Sequence, residues 1–309
     1  MRNAMKREKG ETKRLLWRYR GLYLILLVAI AYYFVFQYIP IIWGFEISFK
    51  NMKIGNTIAN AKWVGWDNYE YVLTNPEMLK LIRNTLRISV WRLVCTFIPP
   101  IILTIAIFDL SNKKYQRVTQ TLVYIPHFFS WVIIYGIVYS FFSGNGLING
   151  VIRALGGRAK EFMTNSRAFL PLLIGSQIWK EVGWNTILYF AALTSISPEL
   201  YEAAKIDGAG PLQRIAAVTF PAMKPVITFS LIMALGNILN NDFEQIMLFY
   251  NSAVYDVADI IDTWVYRIGL GKFQYGIGSA VSMLKAVISL ALILGSNALS
   301  KKLSGRGMF

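Results

Sequence analysis

Acidic residues are scarce: 17 Asp and Glu stand against 32 Lys and Arg in 309 residues, and charged side chains make up only 16% of the chain. A soluble domain carries about 25% charged residues, so too few are present to build a water-facing surface. With 55% hydrophobic and 15% aromatic residues, one polytopic membrane domain fits better than one or two globular domains. The single cysteine, Cys95, excludes an intrachain disulfide and a cysteine metal cluster, and its apolar surroundings predict a packing role. The single histidine, His127, has no companion at metal-ligand spacing; it is expected to pack or gate, and no metal site is expected. No Gly-x-x-x-x-Gly-Lys-Ser/Thr loop is present, so the chain is not expected to hydrolyse ATP or to bind a cofactor itself. There is no internal repeat of the kind an ion-coupled secondary transporter predicts, and no His/Asp/Glu constellation of the kind a membrane-embedded enzyme needs.

The net charge of +15 does not imply nucleic acid, because the basic residues flank apolar runs. Arg2, Lys6, Arg7, Lys9, Lys13, Arg14, Arg18 and Arg20 precede the first run, and Lys301, Lys302 and Arg306 follow the last. That is the positive-inside pattern, and it puts the 1–21 and 301–309 tails in the cytoplasm. The first run is nearer the ~20 residues of a spanning helix than a signal core, and is expected to remain in the mature chain.

Six spans are expected over a 22–300 membrane domain, at about 22–43, 78–108, 118–142, 168–193, 225–249 and 273–299. Trp63, Trp66, Tyr69 and Tyr71 mark an external interfacial segment after the first span. Lys80, Arg83 and Arg87 share one helical face at the start of the second, where they meet the outer interface or a polar cavity. Pro99 and Pro100 predict a kink further along it. Charges inside a membrane face a cavity or pair within the bundle, which singles out Lys180 and Glu181 in the fourth span. Asn237, Asn240, Asn241, Asp242, Glu244 and Gln245 give the fifth span a polar middle and outer end, with Asn237, Asn241 and Glu244 on one helical face. Trp179, Trp184 and Phe243 add aromatic platforms. Rings for stacking beside amide and carboxylate groups suit a sugar, although helix–helix hydrogen bonding also favours Asn and Gln. Lys285 is expected to neutralise Glu181 or Glu244; Asp256, Asp259 and Asp262 are expected outside, docking a partner, holding Arg267 or simply solvated.

The segment between the fourth and fifth spans, 195–221, is too polar to cross. Ser197, Pro198 and Glu199 form a helix start, Gly208, Gly210 and Pro211 stop it, and a second short helix is expected from Pro211 to about Thr219, before a break at Pro221. Glu202-Ala203-Ala204, then Gly208, Val218 and Phe220-Pro221 keep the spacing of the EAA loop of ABC importer permeases, with Asp207-Gly208-Ala209 at the turn. The chain is identified as similar to the carbohydrate-uptake branch of that family, in its complex-polysaccharide group. Further likeness lies in Tyr124-Ile-Pro-His-Phe-Phe-Ser-Trp131, Ile178-Trp-Lys-Glu-Val-Gly-Trp184, Gly236-Asn-Ile-Leu-Asn240, Phe243-Glu-Gln245 and Val257-Ala-Asp-Ile-Ile-Asp-Thr-Trp-Val-Tyr-Arg267.

The resemblance implies an all-α, six-helix type I permease with both termini cytoplasmic, in the cytoplasmic membrane. It further implies a second homologous permease, a cytoplasmic ABC ATPase dimer that uses ATP and Mg, an extracytoplasmic solute-binding protein, and an oligosaccharide as cargo. Glu202 would pair with a basic residue of the ATPase, Ala203 and Ala204 would pack there, and Asp207 and Gly208 would form the turn. A non-sugar solute is the alternative cargo.

Overall fold

The structure is a computed structural model that describes residue 15 and residues 17–240 and 242–304. The basic residues from Arg2 to Arg14, Asn241 and Arg306 lie outside the described residues. Helices dominate, and the described β pairing is one isolated bridge, Lys50 to Trp63. The fold class is all-α. Among the described residues five helices are long and apolar enough to cross a membrane: Arg20–Ser48, Pro76–Phe108, Trp131–Ala154, Pro211–Gly236 and Tyr275–Ala298. The helix Ser166–Thr194 is long enough, at 29 residues, but Gln177, Lys180, Glu181 and Asn185 interrupt its apolar run and it is not among the five.

The chain divides into two compact units. One comprises the chain up to Leu73 with Ile268–Met283. Its long helix, Arg20–Ser48, passes through a π-helical turn at Phe34–Tyr38. Pro40 follows that turn and cannot donate an amide to the preceding one, so the wider turn absorbs the lost bond. Beyond the helix end the expected interfacial aromatics form a knot. Phe49 stacks on Trp63 at 5.5 Å and meets Trp66 and Tyr69 edge-on or tilted. Asn68 closes it, donating to the carbonyls of Ser48 at 2.8 Å and Lys50 at 3.0 Å.

The other unit comprises Thr74–Arg267 and the chain from Leu284. Its centre is the pairing of Pro76–Phe108 with Ser166–Thr194. Asn75 caps the first of these, accepting from the Glu77 amide, and Pro76 takes the first helical position, where no donor is needed. The helix runs on as one element through Pro99 and Pro100. Ile88, Leu173, Val138, Phe169, Ile246 and Phe249 make the main apolar core, and Tyr189, Leu193 and Met223 a second one.

Two expected spans are interrupted. The 118–142 stretch is a helix to Tyr124, a 3-10 turn at Ile125–Phe128, and a new helix from Trp131. Pro126 supplies no amide for a continuous ladder, and Ser130 starts the next helix by accepting from the Ile133 amide. The 225–249 stretch is likewise two helices, Phe220–Gly236 and Phe243–Phe249. Asn237 turns back onto the Met233 carbonyl at 3.0 Å, and the Asn240 amide bonds the Asn237 carbonyl at 2.9 Å. Asparagines that bond local backbone compete with the helix ladder, which is why the run after Gly236 leaves it.

Candidate coupling loop and translocation pathway

In the 195–221 loop, Pro198–Ile206 is a helix with Ser197 in the cap position. Ser197 has extended backbone angles, but its hydroxyl makes no capping bond. The helix ends in a closed turn: the Gly208 amide bonds the Lys205 carbonyl at 3.0 Å and the Ala209 amide bonds the Ala204 carbonyl at 2.9 Å. Gly208 has φ +77, a left-handed conformation that a side chain disfavours. After the turn, Gln213 accepts from the Gly210 amide at 2.7 Å and a second helix begins at Pro211. The expected break at Pro221 does not occur. Instead a π-helical turn, Ile215–Thr219, precedes it and carries the helix on to Gly236, as the turn before Pro40 does.

The loop's outer surface is open. Glu202, Ala203 and Asp207 are exposed, and Ala204 is half-buried. Ile206 and Leu212 are 86% and 80% exposed, a large uncovered area for isolated aliphatic side chains on a loop. The inner side is anchored: Tyr201 and Thr219 share a hydrogen bond of 3.0 Å, and the Tyr201 ring faces Phe108.

The expected pathway residues fall into three separate groups. At the break after Tyr124, buried Lys180 donates to the carbonyls of His127 at 2.6 Å and Phe129 at 2.8 Å. These carbonyls lie where the 3-10 turn ends, so the ammonium answers backbone acceptors left over by the break. Glu181 pairs with His127 Nδ1 at 2.8 Å and lies 3.6 Å from Lys180. His127 stacks on Trp184 with ring centres 4.2 Å apart and planes nearly parallel. The close approach depends on Gly183, where a Cβ would run into the Val123 backbone. Trp184 is 42% exposed and Trp179 41%. Trp184 is also a wall of a cavity of about 520 Å3 that includes Thr96, Asn185, Tyr189 and Ser230.

Gln245 belongs to a second group. It is fully buried and donates to the Leu173 carbonyl at 2.8 Å and to Ser176 Oγ at 3.0 Å, while accepting from Arg92. Arg92 also lies 3.4 Å from Asp242. It holds the second helix to the segment after the fifth-span break, a role not assigned to it from sequence. The available signal was its register with buried Leu81, Thr85 and Ile88, a face on which an unpaired guanidinium is not tolerated.

The third group is Asn237 and Asn240, exposed and bonded to each other at 3.3 Å. Glu244 is exposed and Phe243 packs against Tyr266. Because the helix stops at Gly236, Asn237 and Glu244 do not share a continuous helical face. Asn241, the third member of that expected face, is outside the described residues.

Lys285 does not neutralise Glu181 or Glu244; it grips Asp262 through both oxygens at 2.7 and 2.9 Å. Asp256 binds Lys80 at 2.5 Å, which holds its carboxyl below the ordinary value, and Arg83 and Arg87 stay exposed. Asp259 is only 2% exposed and holds Arg267 at 3.1 Å; burial pushes its pKa up against hydrogen bonds from Thr263 and Tyr250. Burial likewise pushes Tyr250 up to about 12, against a hydrogen bond from Arg267.

A profile of the binding-protein-dependent transport system inner membrane component family matches residues 27–305. The chain belongs to this family. The permease is 38% identical over 306 residues to the polygalacturonan/rhamnogalacturonan transport system permease protein YteP of Bacillus subtilis, covering 98% of this chain and 95% of the relative. It is 38% identical over 293 residues to protein LplB of the same organism, covering 94% and 92%. Its fold matches a chain of a bacterial ABC transporter involved in the import of the acidic polysaccharide alginate, with TM-score 0.87, 36% identity, and 94% of this chain and 98% of that chain covered. Permease subunits of this kind have no ATPase site; partner subunits hydrolyse ATP.

Proposed function

We propose that this permease forms, with a second homologous permease, the translocation pathway for an oligosaccharide handed over by an extracytoplasmic solute-binding protein. The 195–221 loop is its coupling element, seated on a cytoplasmic ABC ATPase dimer that uses ATP and Mg. The observation that carries the reading is the loop itself. A short helix closed by a left-handed glycine, anchored through Tyr201 and open at Glu202, Ile206 and Leu212, has the form of a rigid plug. A rigid element transmits closure of a partner as a displacement, where a soft loop would absorb it.

In this reading the membrane domain has six spans, Ser166–Thr194 included, with both termini in the cytoplasm. Its polar middle is tolerable because Lys180 and Glu181 are paired inside the bundle. Trp184 and the cavity beside it supply an aromatic face with hydroxyl and amide groups nearby, the chemistry that holds pyranose rings. Transport of polygalacturonan/rhamnogalacturonan by one relative and of alginate by another supports a saccharide cargo over a non-sugar solute. A matching alginate transporter in complex with an alginate pentasaccharide-bound periplasmic protein supports an oligosaccharide delivered from outside.

Glu202→Lys tests the reading. Substrate-stimulated ATP hydrolysis and uptake should both fall while the subunit still inserts and assembles; unchanged uptake would overturn it.

A further inference from the structure

A cavity of about 260 Å3 lies at the root of the 195–221 loop, where the turn after Phe108, the Pro198–Ile206 helix and the segment from Pro211 meet. Its walls carry Lys113, Lys205 and Arg214 but one carboxylate, Asp109, a net of two positive charges (three less one). Among the described residues none of the three cations forms an ion pair. Asp109 is therefore a wall of the same cavity without bridging any of them. Arg214 Nε is buried with no hydrogen-bond partner. Tyr201 and Thr219, also in the wall, satisfy each other, so the unmet donor is the Arg214 guanidinium. Ile105, Phe108, Leu110 and Ile215 add apolar surface to the lining.

Leaving the Arg214 N–H buried and unmet is unfavourable unless an acceptor enters, and the exposed ammonium groups of Lys113, which donates to Gln116 at 3.3 Å, and Lys205 favour an anionic one. We infer that this cavity binds the phosphate of an anionic phospholipid from the cytoplasmic leaflet, the glycerol end lying on the apolar wall. The leaflet assignment rests on the coupling-loop reading above; the phosphate chemistry does not. Basic pockets at the cytoplasmic ends of membrane helices suit such headgroups, and Arg and Lys are the side chains that match phosphate oxygens. The three cations come from three different elements: Lys113 opens the Lys113–Tyr124 helix, Lys205 lies in the loop helix, and Arg214 in the return helix. A shared phosphate ties the loop helix to the membrane helices, so lipid charge sets how firmly a displacement of the loop is passed on.

The test is native mass spectrometry of the assembled transporter in detergent with phosphatidylglycerol, phosphatidylcholine or inorganic phosphate. Phosphatidylglycerol should be retained, and Lys113→Gln with Arg214→Gln should weaken it about tenfold, while Lys114→Gln on the neighbouring exposed position leaves it unchanged. Lys205→Gln, on an exposed side chain, serves if the double variant does not assemble, with a smaller loss expected. Equal retention by wild type and variants overturns the site. Retention of inorganic phosphate without the lipid overturns the lipid assignment. In vesicles, adding phosphatidylglycerol to phosphatidylcholine should raise substrate-stimulated ATP hydrolysis of wild type but not of the variant. If lipid retention follows the cations while Glu202→Lys leaves uptake unchanged, the anion site stands and the coupling reading falls.

Discussion

The 195–221 loop and the polar groups of the membrane helices differ in where their determinants lie along the chain. In the loop, everything that shapes the helix and its turn sits within a few residues: Pro198 at the start, the amides of Gly208 and Ala209 returning to Lys205 and Ala204, and the Gln213 cap on Gly210. In the membrane part the buried polar groups are answered from far along the chain, Lys180 by His127 and Phe129, Gln245 by Leu173 and Arg92, Lys285 by Asp262. The loop is local and outward-facing, and these buried pairings are non-local and inward-facing. Substitutions in the first should spare assembly and damage coupling; substitutions in the second should damage the fold before anything else.

The largest effect tests the second half of that contrast. Gly183→Val should abolish assembly, because its side chain would occupy the Val123 backbone, and backbone cannot move aside as a flexible side chain can. The measurement is recovery of the intact transporter by size-exclusion chromatography in detergent. Normal recovery would mean the contact at the third-span break is loose and the contrast overstated. Next in size, Gln245→Leu removes the main partner of Arg92 and leaves Asp242 at 3.4 Å, a loss of about 2 kcal/mol for a buried charged hydrogen bond. The melting temperature should drop, and Arg92→Met with Gln245→Leu should recover part of it. A double variant no better than the single would mean that Arg92 is not the group left stranded.

Gly208→Val tests the first half. A left-handed conformation costs a residue with a side chain about 1–2 kcal/mol, enough to reshape an exposed turn but not to unfold a membrane domain. Assembly and basal ATP hydrolysis should persist while substrate-stimulated hydrolysis falls. If assembly fails instead, the loop is not separable from the membrane fold.

The same contrast explains what was legible in the residues alone. Loop helix, glycine turn and second helix could be read because short-range spacing and turn chemistry determine them. The misread end of the loop is instructive: Pro221 was expected to stop the chain, but Ile215–Thr219 widens into a π turn that accommodates it. Spacing along one segment says little about such an adjustment. In the membrane, the face joining Asn237 to Glu244 assumed an unbroken helix, and the asparagines themselves end it by bonding back to Met233 and to one another. Lys180 and Glu181 stand out in the sequence as costly charges, but the His127 and Phe129 groups that answer them lie more than 50 residues away. Arg92 is not legible in the sequence because its register is that of the buried face, and Gln245, the partner that permits it, lies 153 residues away.

The smallest effect sharpens the comparison within the segment after the fifth-span break, where two aspartates three positions apart behave oppositely. Asp256 is exposed and held below its ordinary value by Lys80; Asp259 is buried beside Arg267 and pushed above it. A lowered carboxylate contributes stability above its unfolded pKa and loses it as pH falls through the folded value. A raised one contributes below the unfolded pKa and loses it as pH rises through the folded value. Asp259→Asn removes only the second titration. Its melting temperature should therefore gain on wild type as pH rises through the interval just above 3.8, and then run parallel to it. Asp256→Asn should show the reverse slope, losing ground to wild type as pH rises from below 3.8. Two identical profiles would mean that burial does not distinguish these carboxylates, and that the segment is as solvent-governed as the 195–221 loop.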